Sequence, residues 1–376
     1  MESKRMVVAG LGAATLLVVA VGANQLNRRQ LIDHGNIRPV ALRGHVLTDS
    51  NAMAIPTEIA IVGPFIVAAD FASDSTMHVI DRDSGRLLRS LGRRGSGPGE
   101  FEGVWTIDPV RDVESAFWAY DLNLKRATFI DLTESRDPQS AIEAQSVSFL
   151  NEATLTGPVK TADGHWLSLG FFPDGRVGIF NTLGERVAVL GDVPAGPENM
   201  HAVTRQQIRL STLVVHPGRR RFAAMPRYAS DFELFTLDGA SVVVDGPVEV
   251  VAHTFRNGPI DLGPVSTGKT RTGYVDAAGS HDEIFALFSG RTLKDYKQSA
   301  GFGRYVHVFD WNGMLIAAYL LEDDTLAIAV DESGQTLYAV RHDPYPAIVR
   351  YDLAGTNGDP QAIVSSLQPA TGAGAP

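Results

Sequence analysis

The chain has 376 residues, 44% hydrophobic and 20% charged, an ordinary globular composition with room for one large domain or two medium ones. A formal net charge of -10 argues against a nucleic-acid partner, because phosphate binding needs a basic face. Cysteine is absent, which removes disulfides, thiolate catalysis, cysteine-ligated zinc and lipid attachment through a lipobox cysteine.

In chain order, Lys4 and Arg5 precede an uncharged run from Met6 to Ala23, with small residues near Ala23 at a possible cleavage point before Asn24. Residues 1–23 therefore read as a signal peptide or, if uncleaved, an N-terminal membrane anchor near the lower length limit for a span. Arg28 and Arg29 balance Lys4 and Arg5, so charge does not choose between the two. Both place the body outside the cytoplasm, periplasmic or secreted, with membrane contact only through that segment. Residues 24–36 read as a linker, 37–364 as the folded body and 365–376 as a small, polar, disordered tail.

Within the body a unit recurs: a strand ending in an apolar and then a small polar residue, followed by a turn. The polar positions Asp81, Asp131, Asn181, Thr236, Asp310 and Asp352 are separated by 50, 50, 55, 74 and 42 residues. Six copies at that period, each with about four strand-like runs, predict an all-β fold, a six-bladed β-propeller with four-stranded antiparallel blades. The third unit shows the pattern: Leu155 to Thr161, His165 to Phe171, Arg176 to Asn181 and Glu185 to Leu190, with Asp163-Gly164 and Asp174-Gly175 at the turns. Asn199 to Gln207 reads as one short helix.

The sixth unit offers only three runs, Thr325 to Val330, Gln335 to Arg341 and Ala347 to Tyr351. Val40 to Thr48, ahead of the first unit, is expected to supply the fourth and close the ring, since open sheet edges invite aggregation. Between the first two units lies Leu91 to Phe101, LGRRGSGPGEF, whose four glycines and proline predict a shaped loop joining two blades.

That Gly-x-Gly-Pro-Gly-Glu-Phe stretch, together with YVHVFDWNGMLIAAYLLEDDTLAIAVDESGQTLYAV near the C-terminus, resembles the TolB-like six-bladed β-propeller proteins, relatives of the NHL-repeat propellers. Asp121, Asn123 and Arg126 approximate the Asp, Asn and Arg of an NHL unit, one residue short between the first two. The resemblance implies a fold and an extracytoplasmic address, and no common reaction.

In antiparallel blades the loops from the second to the third strand and from one blade to the next share a face. The two longest connections, 256–271 and 289–303, fall there. Long loops in compact domains tend to be functional, so this face is the expected binding surface for a protein, peptide or carbohydrate. Its basic and aromatic members Arg93, Arg94, Arg126, Arg291, Lys294, Tyr296 and Arg304 are the candidate ligand contacts. The alternative use of Arg93, Arg94, Glu100 and Phe101 is structural: glycines make the crossing, Glu100 accepts backbone N–H groups, and Phe101 packs between blades.

Gly263 to Thr270, GPVSTGKT, matches the P-loop pattern but begins no helix, so it reads as a surface loop. The ten histidines show no zinc-protease spacing, and no Gly-x-Ser-x-Gly elbow is present. No cofactor is expected, with a divalent metal in the central channel as the exception. Asp70, Asp121, Asp231 and His342, near second-to-third-strand connections, are the candidate ligands, and turn aspartates are the ordinary alternative. The expectation is an exported, non-catalytic binding propeller; the alternative is a channel-centred metal-dependent hydrolase or lyase on the same fold.

Overall fold

The computed structural model describes residues 37–48, 51–133, 145–150, 154–195, 200–229, 231–248, 269–292, 294 and 301–354. The leader, linker and tail expectations fall outside these residues, as does almost all of the P-loop-like stretch.

Each blade is a four-stranded antiparallel unit, lettered a to d outward from the ring axis. Blade 1 comprises Pro56–Val62, Phe65–Asp70, Ser75–Asp81 and Leu87–Arg94, and blade 2 Val104–Pro109, Ala116–Asp121, Arg126–Asp131 and Ser146–Ser148. Blade 3 has Val159–Lys160, Trp166–Leu169, Val177–Phe180 and Arg186–Leu190; blade 4 has Ser211–Val215, Arg221–Pro226, Phe232–Thr236 and Ser241–Val244. Blades 5 and 6 share one continuous strand, Leu315–Val330, whose first half pairs with Gly303–Asp310 and whose second half pairs with Thr336–Arg341. Tyr274–Gly279 and Glu283–Phe288 complete blade 5, and Ala347–Asp352 is strand c of blade 6.

Strand d of blade 6 is His45–Thr48, antiparallel to Ala347–Asp352 with His45 opposite Arg350 and Val46 opposite Val349. The expected closure by an N-terminal strand is therefore present. Val40–Ala41 adds a short parallel pairing to Tyr319 and Leu320. Gly44 is required where the chain turns into this strand, because a Cβ there would meet the Val349 and Tyr351 side chains, the latter at 2.7 Å.

The core divides as a ring should. Among the described residues the buried apolar side chains form six clusters, each between two neighbouring blades. One joins Val67 and Met77 of blade 1 to Ile107 and Phe117 of blade 2, and another joins Ile59 and Ile66 of blade 1 to Tyr338 and Val340 of blade 6. The remaining four occupy the other interfaces. Phe101, fully buried, sits in the cluster between blades 1 and 2; burying a Phe stabilises by about 2–3 kcal/mol.

The repeated polar position ends strand c and holds the turn to strand d. Asp81 accepts the Ser84 N–H at 2.8 Å, Asn181 the Leu183 N–H at 2.9 Å and Asp310 the Asn312 and Met314 N–H groups at 2.9 and 2.8 Å. A short helix, Ala202–Ile208, lies on the connection between blades 3 and 4, starting three residues after and ending one residue after its expected bounds.

One expectation needs correcting. The glycine-rich stretch is not loop throughout, since Leu91 to Arg94 continues strand d of blade 1 and Arg93 and Arg94 pair in parallel with Glu100 and Phe101. Gly92 permits this by taking a φ of 74°, which brings the backbone against Thr76 and Phe101.

Candidate functional site

The face carrying the b-to-c and blade-to-blade loops is built on two equivalent carboxylates. Asp70, at the end of strand b in blade 1, accepts N–H groups from Ala54 and Ile55 on the incoming connection, at 2.6 and 3.0 Å. It also accepts those of Ala72 and Ser73 on the outgoing loop, both at 2.9 Å. Asp121 repeats the pattern in blade 2, with Glu102 and Gly103 at 2.7 and 2.9 Å before it and Asn123 and Leu124 at 2.9 and 3.0 Å after it. Burial alone would raise the Asp70 pKa. The His78 contact and the backbone N–H groups outweigh it, so the carboxyl is held down to about 2.

Asp231 instead pairs with Arg209 at 2.6 Å, and His342 donates from Nε2 to the Pro56 carbonyl at 2.9 Å. The four residues nominated for a metal thus sit on separate loops, each with at least one polar atom engaged by the protein. Among the described residues no group of three or more His, Asp and Glu side chains converges to hold an ion.

The nominated arginines tie loops together. Arg94 donates to the carbonyls of Ser73, Glu102 and Asp70 at 2.8, 3.1 and 3.1 Å and also to that of Phe71. Arg126 donates to the Gly97 and Glu100 carbonyls at 3.1 and 2.6 Å. Arg93 pairs with Glu100, which also accepts the Gly97 N–H at 2.9 Å. Arg291 grips Asp324 with both terminal nitrogens, and Arg304 donates to the Leu321 carbonyl at 2.9 Å. Lys294 is exposed, and Tyr296 lies outside the described residues.

The ring axis is a channel of about 1140 Å³, running from Phe71, Asn123 and Arg227 on the loop-rich face to Glu114, His216 and Glu332 on the other. That volume accommodates a drug-sized group or a peptide side chain with room for water. Strand a lines it, and in four blades this strand carries a bulge near its start, at Thr57, Trp105, Val275 and Leu326. An extra residue re-aims side chains out of alternation. All four of these residues line the channel, just inside the loop-rich mouth.

Trp105 is 37% exposed there, and Phe71 at the rim is 40% exposed with the Arg94 guanidinium 5.9 Å from its ring. Tyr345, 44% exposed on the b-to-c loop of blade 6, completes the set. Among the described residues these three are the exposed large aromatics, and all lie on one face.

Deeper in the channel sit two acids the sequence reading did not single out, Glu58 on blade 1 and Asp276 on blade 5. Asp276 is 8% exposed and accepts the Ile328 N–H of blade 6 at 2.7 Å. Burial raises its pKa to about 7 against the opposing pull of that bond and the Arg227 charge. Glu58 takes no hydrogen bond among the described residues, and burial, then the Asp276 charge, pushes it well above the ordinary carboxyl range. A third acid, Asp108 of blade 2, is paired with Arg219 at 2.8 Å and accepts the Lys160 N–H at 2.8 Å. The signal available in the sequence was a lone acid inside the otherwise uncharged first strand of a unit, PTEIAIV and YVDAAG.

These features define a six-bladed β-propeller with an axial channel opening through an aromatic mouth. A family model described as TolB-like 6-blade propeller-like matches residues 40–333, and the chain belongs to that family. Similar solved structures include the β-propeller domain of Cps50 (Swd1) from Myceliophteria thermophila, 11% identical over 82% of this chain and 99% of that one, with a TM-score of 0.48. A putative exported protein from Bacteroides fragilis is also 11% identical, over 82% and 94%, with a TM-score of 0.47. The WD40 repeats of RRP9 are 11% identical over 84% and 99%, with a TM-score of 0.48. No curated protein matches the chain.

Proposed function

We propose that this protein is a non-catalytic binding propeller that receives a peptide segment of a protein partner at the mouth of its channel on the loop-rich face. The observation that carries the reading is the placement of Phe71, Trp105 and Tyr345, the exposed aromatics among the described residues, on that face. Large aromatics supply contact area at low entropic cost and are enriched in protein interfaces. Beneath them the loops are tied by Asp70, Asp121, Arg94 and Arg126, so the surface is rigid before a partner arrives and little ordering cost falls on binding. The leader-like residues 1–23 support an extracytoplasmic setting, periplasmic or secreted.

The test is peptide selection on the full chain and on a Phe71→Ala/Trp105→Ala/Tyr345→Ala variant. Of the four tryptophans only Trp105 is exposed, the others being at most 7% accessible, so a ligand at the mouth should quench its fluorescence. Peptides bound by the wild type and lost by the variant support the reading. Equal binding by both chains contradicts it, and a chelator-dependent loss of thermal stability would favour the metal-enzyme alternative.

A further inference from the structure

The mouth of the channel is two-sided. Its aromatics come from neighbouring blades, Tyr345 from blade 6, Phe71 from blade 1 and Trp105 from blade 2. Arg227, just past strand b of blade 4, lines the opposite side and is half-buried. Its backbone is pinned, donating to the Leu210 carbonyl at 2.8 Å and accepting the Gly273 N–H at 2.7 Å. The side chain leans onto blade 5, where Nη2 donates to the Val275 carbonyl at 3.0 Å. Blade 5 stands opposite blade 2 in a ring of six, so the guanidinium and Trp105 lie on opposite sides of the opening. That one bond is all the Arg227 guanidinium makes among the described residues, and no carboxylate pairs with it. Its neighbours on this face are differently committed: Arg94 meets four carbonyls, Arg126 two, Arg209 the carboxylate and carbonyl of Asp231, and Arg291 both oxygens of Asp324.

We propose that Arg227 receives a carboxylate of the bound peptide, its C-terminus or an acidic side chain, while an apolar group of the same peptide packs on the aromatics across the mouth. The inference rests on the peptide-binding reading for the ligand's source and direction of approach. A guanidinium offers five N–H donors in a planar fork that matches a carboxylate, so one with most donors uncommitted at a cavity wall is placed to receive a ligand rather than to brace a loop. One guanidinium supplies one positive charge, which suits a carboxylate better than a phosphate carrying nearly two negative charges. The low-dielectric rim strengthens the pairing, since Arg227 is already partly withdrawn from water and pinned before the ligand arrives. Glu58 and Asp276 deeper in the channel do not neutralise it in mild acid. Burial lifts Asp276 to about 7 and pushes Glu58 above the ordinary carboxyl range, so both hold protons at pH 6 and leave the guanidinium charge to the ligand.

The probes are three small peptides titrated at pH 6 into the full chain, with binding read by calorimetry and by Trp105 emission. Acetyl-glycyl-phenylalanine carries a terminal carboxylate, its amide carries none, and acetyl-glutamyl-phenylalanine amide carries a side-chain carboxylate. At least one of the two acids is expected to bind about tenfold or more tighter than the neutral amide, and the better of them identifies the source of the carboxylate. Arg227→Gln should bring the acids down to the level of the amide. Arg227→Lys, which keeps the charge and loses the fork, should retain part of the preference, and Arg186→Gln on the outer strand of blade 3 should retain all of it. Equal binding of acids and amide by the wild type, an acid preference that survives Arg227→Gln, or no saturable binding of either acid at millimolar concentration overturns the proposal. The wild-type comparison decides even if an Arg227 variant fails to fold. Any of these outcomes leaves the mouth reading standing, because that one is decided by the aromatic variant against selected peptides.

Discussion

Replacing Asp276 by Asn should stabilise the fold at alkaline pH, against the usual sign for a buried polar substitution. Burial lifts this carboxyl from an ordinary 3.8 to about 7. The folded chain therefore keeps a proton that the unfolded chain releases between about pH 4 and pH 7. Stability is favoured below that window, falls as pH rises through it, and levels off above. A lift of about 3 pKa units, at ~1.4 kcal/mol each, sets a ceiling of about 4 kcal/mol on the penalty at pH 8. Asn cannot ionise, and its carbonyl still accepts the Ile328 N–H. It also removes the charge that repels Glu58. Urea unfolding from pH 4 to pH 8 should show the two chains nearly equal at pH 4 and the variant ahead by about 2–4 kcal/mol at pH 8. Parallel pH profiles, or a variant weaker at pH 8, would refute the reasoning. Carboxylates with lowered pKa such as Asp70 act in the acid range on both chains and cancel from the difference.

Other outcomes follow from the loop-rich face and the closing strand. Asp121→Ala strips an acceptor from four backbone N–H groups and should cost about 3–5 kcal/mol, read as a lowered urea midpoint, while an exposed acid such as Asp192→Ala changes it little. Asp70→Asn loses the carboxylate whose lowered pKa contributes stability above about pH 4, so the variant should lose less on acidification to pH 2 than the wild type does. Gly44→Val drives a side chain into Val349 and Tyr351 and should lower the thermal midpoint or yield insoluble protein, whereas Gly164→Ala, at a position with open space, should fold and show only the modest strain of its positive φ.

The architecture was legible because its repeat has a local cause. A polar side chain ending strand c accepts the N–H groups of the next turn, so Asp81, Asn181 and Asp310 mark their blades from sequence alone. The three-strand sixth unit likewise pointed to Val40 to Thr48, because an unpaired edge demands a partner. The arginines were harder. A guanidinium beside glycines reads the same whether it faces a ligand or ties carbonyls, and only the approach of four carbonyls to Arg94 decides. Strand d beyond Leu91 was hidden for a similar reason, since Gly92 normally ends a strand and here lets one continue. The channel acids and Trp105 escaped because bulges set which side chains turn to the axis, and a bulge leaves no mark in hydrophobic alternation.

Mouth, channel and carboxyl pair all exist only if the ring is shut, which makes amide hydrogen exchange of 45–48 the most direct measurement. If these residues form the outer strand of blade 6, the amides that bond to Ala347–Asp352 should exchange as slowly as that strand does and open with it. Exchange at the rate of a free tail, while Ala347–Asp352 stays protected, would contradict the closed ring and every site assigned to its axis.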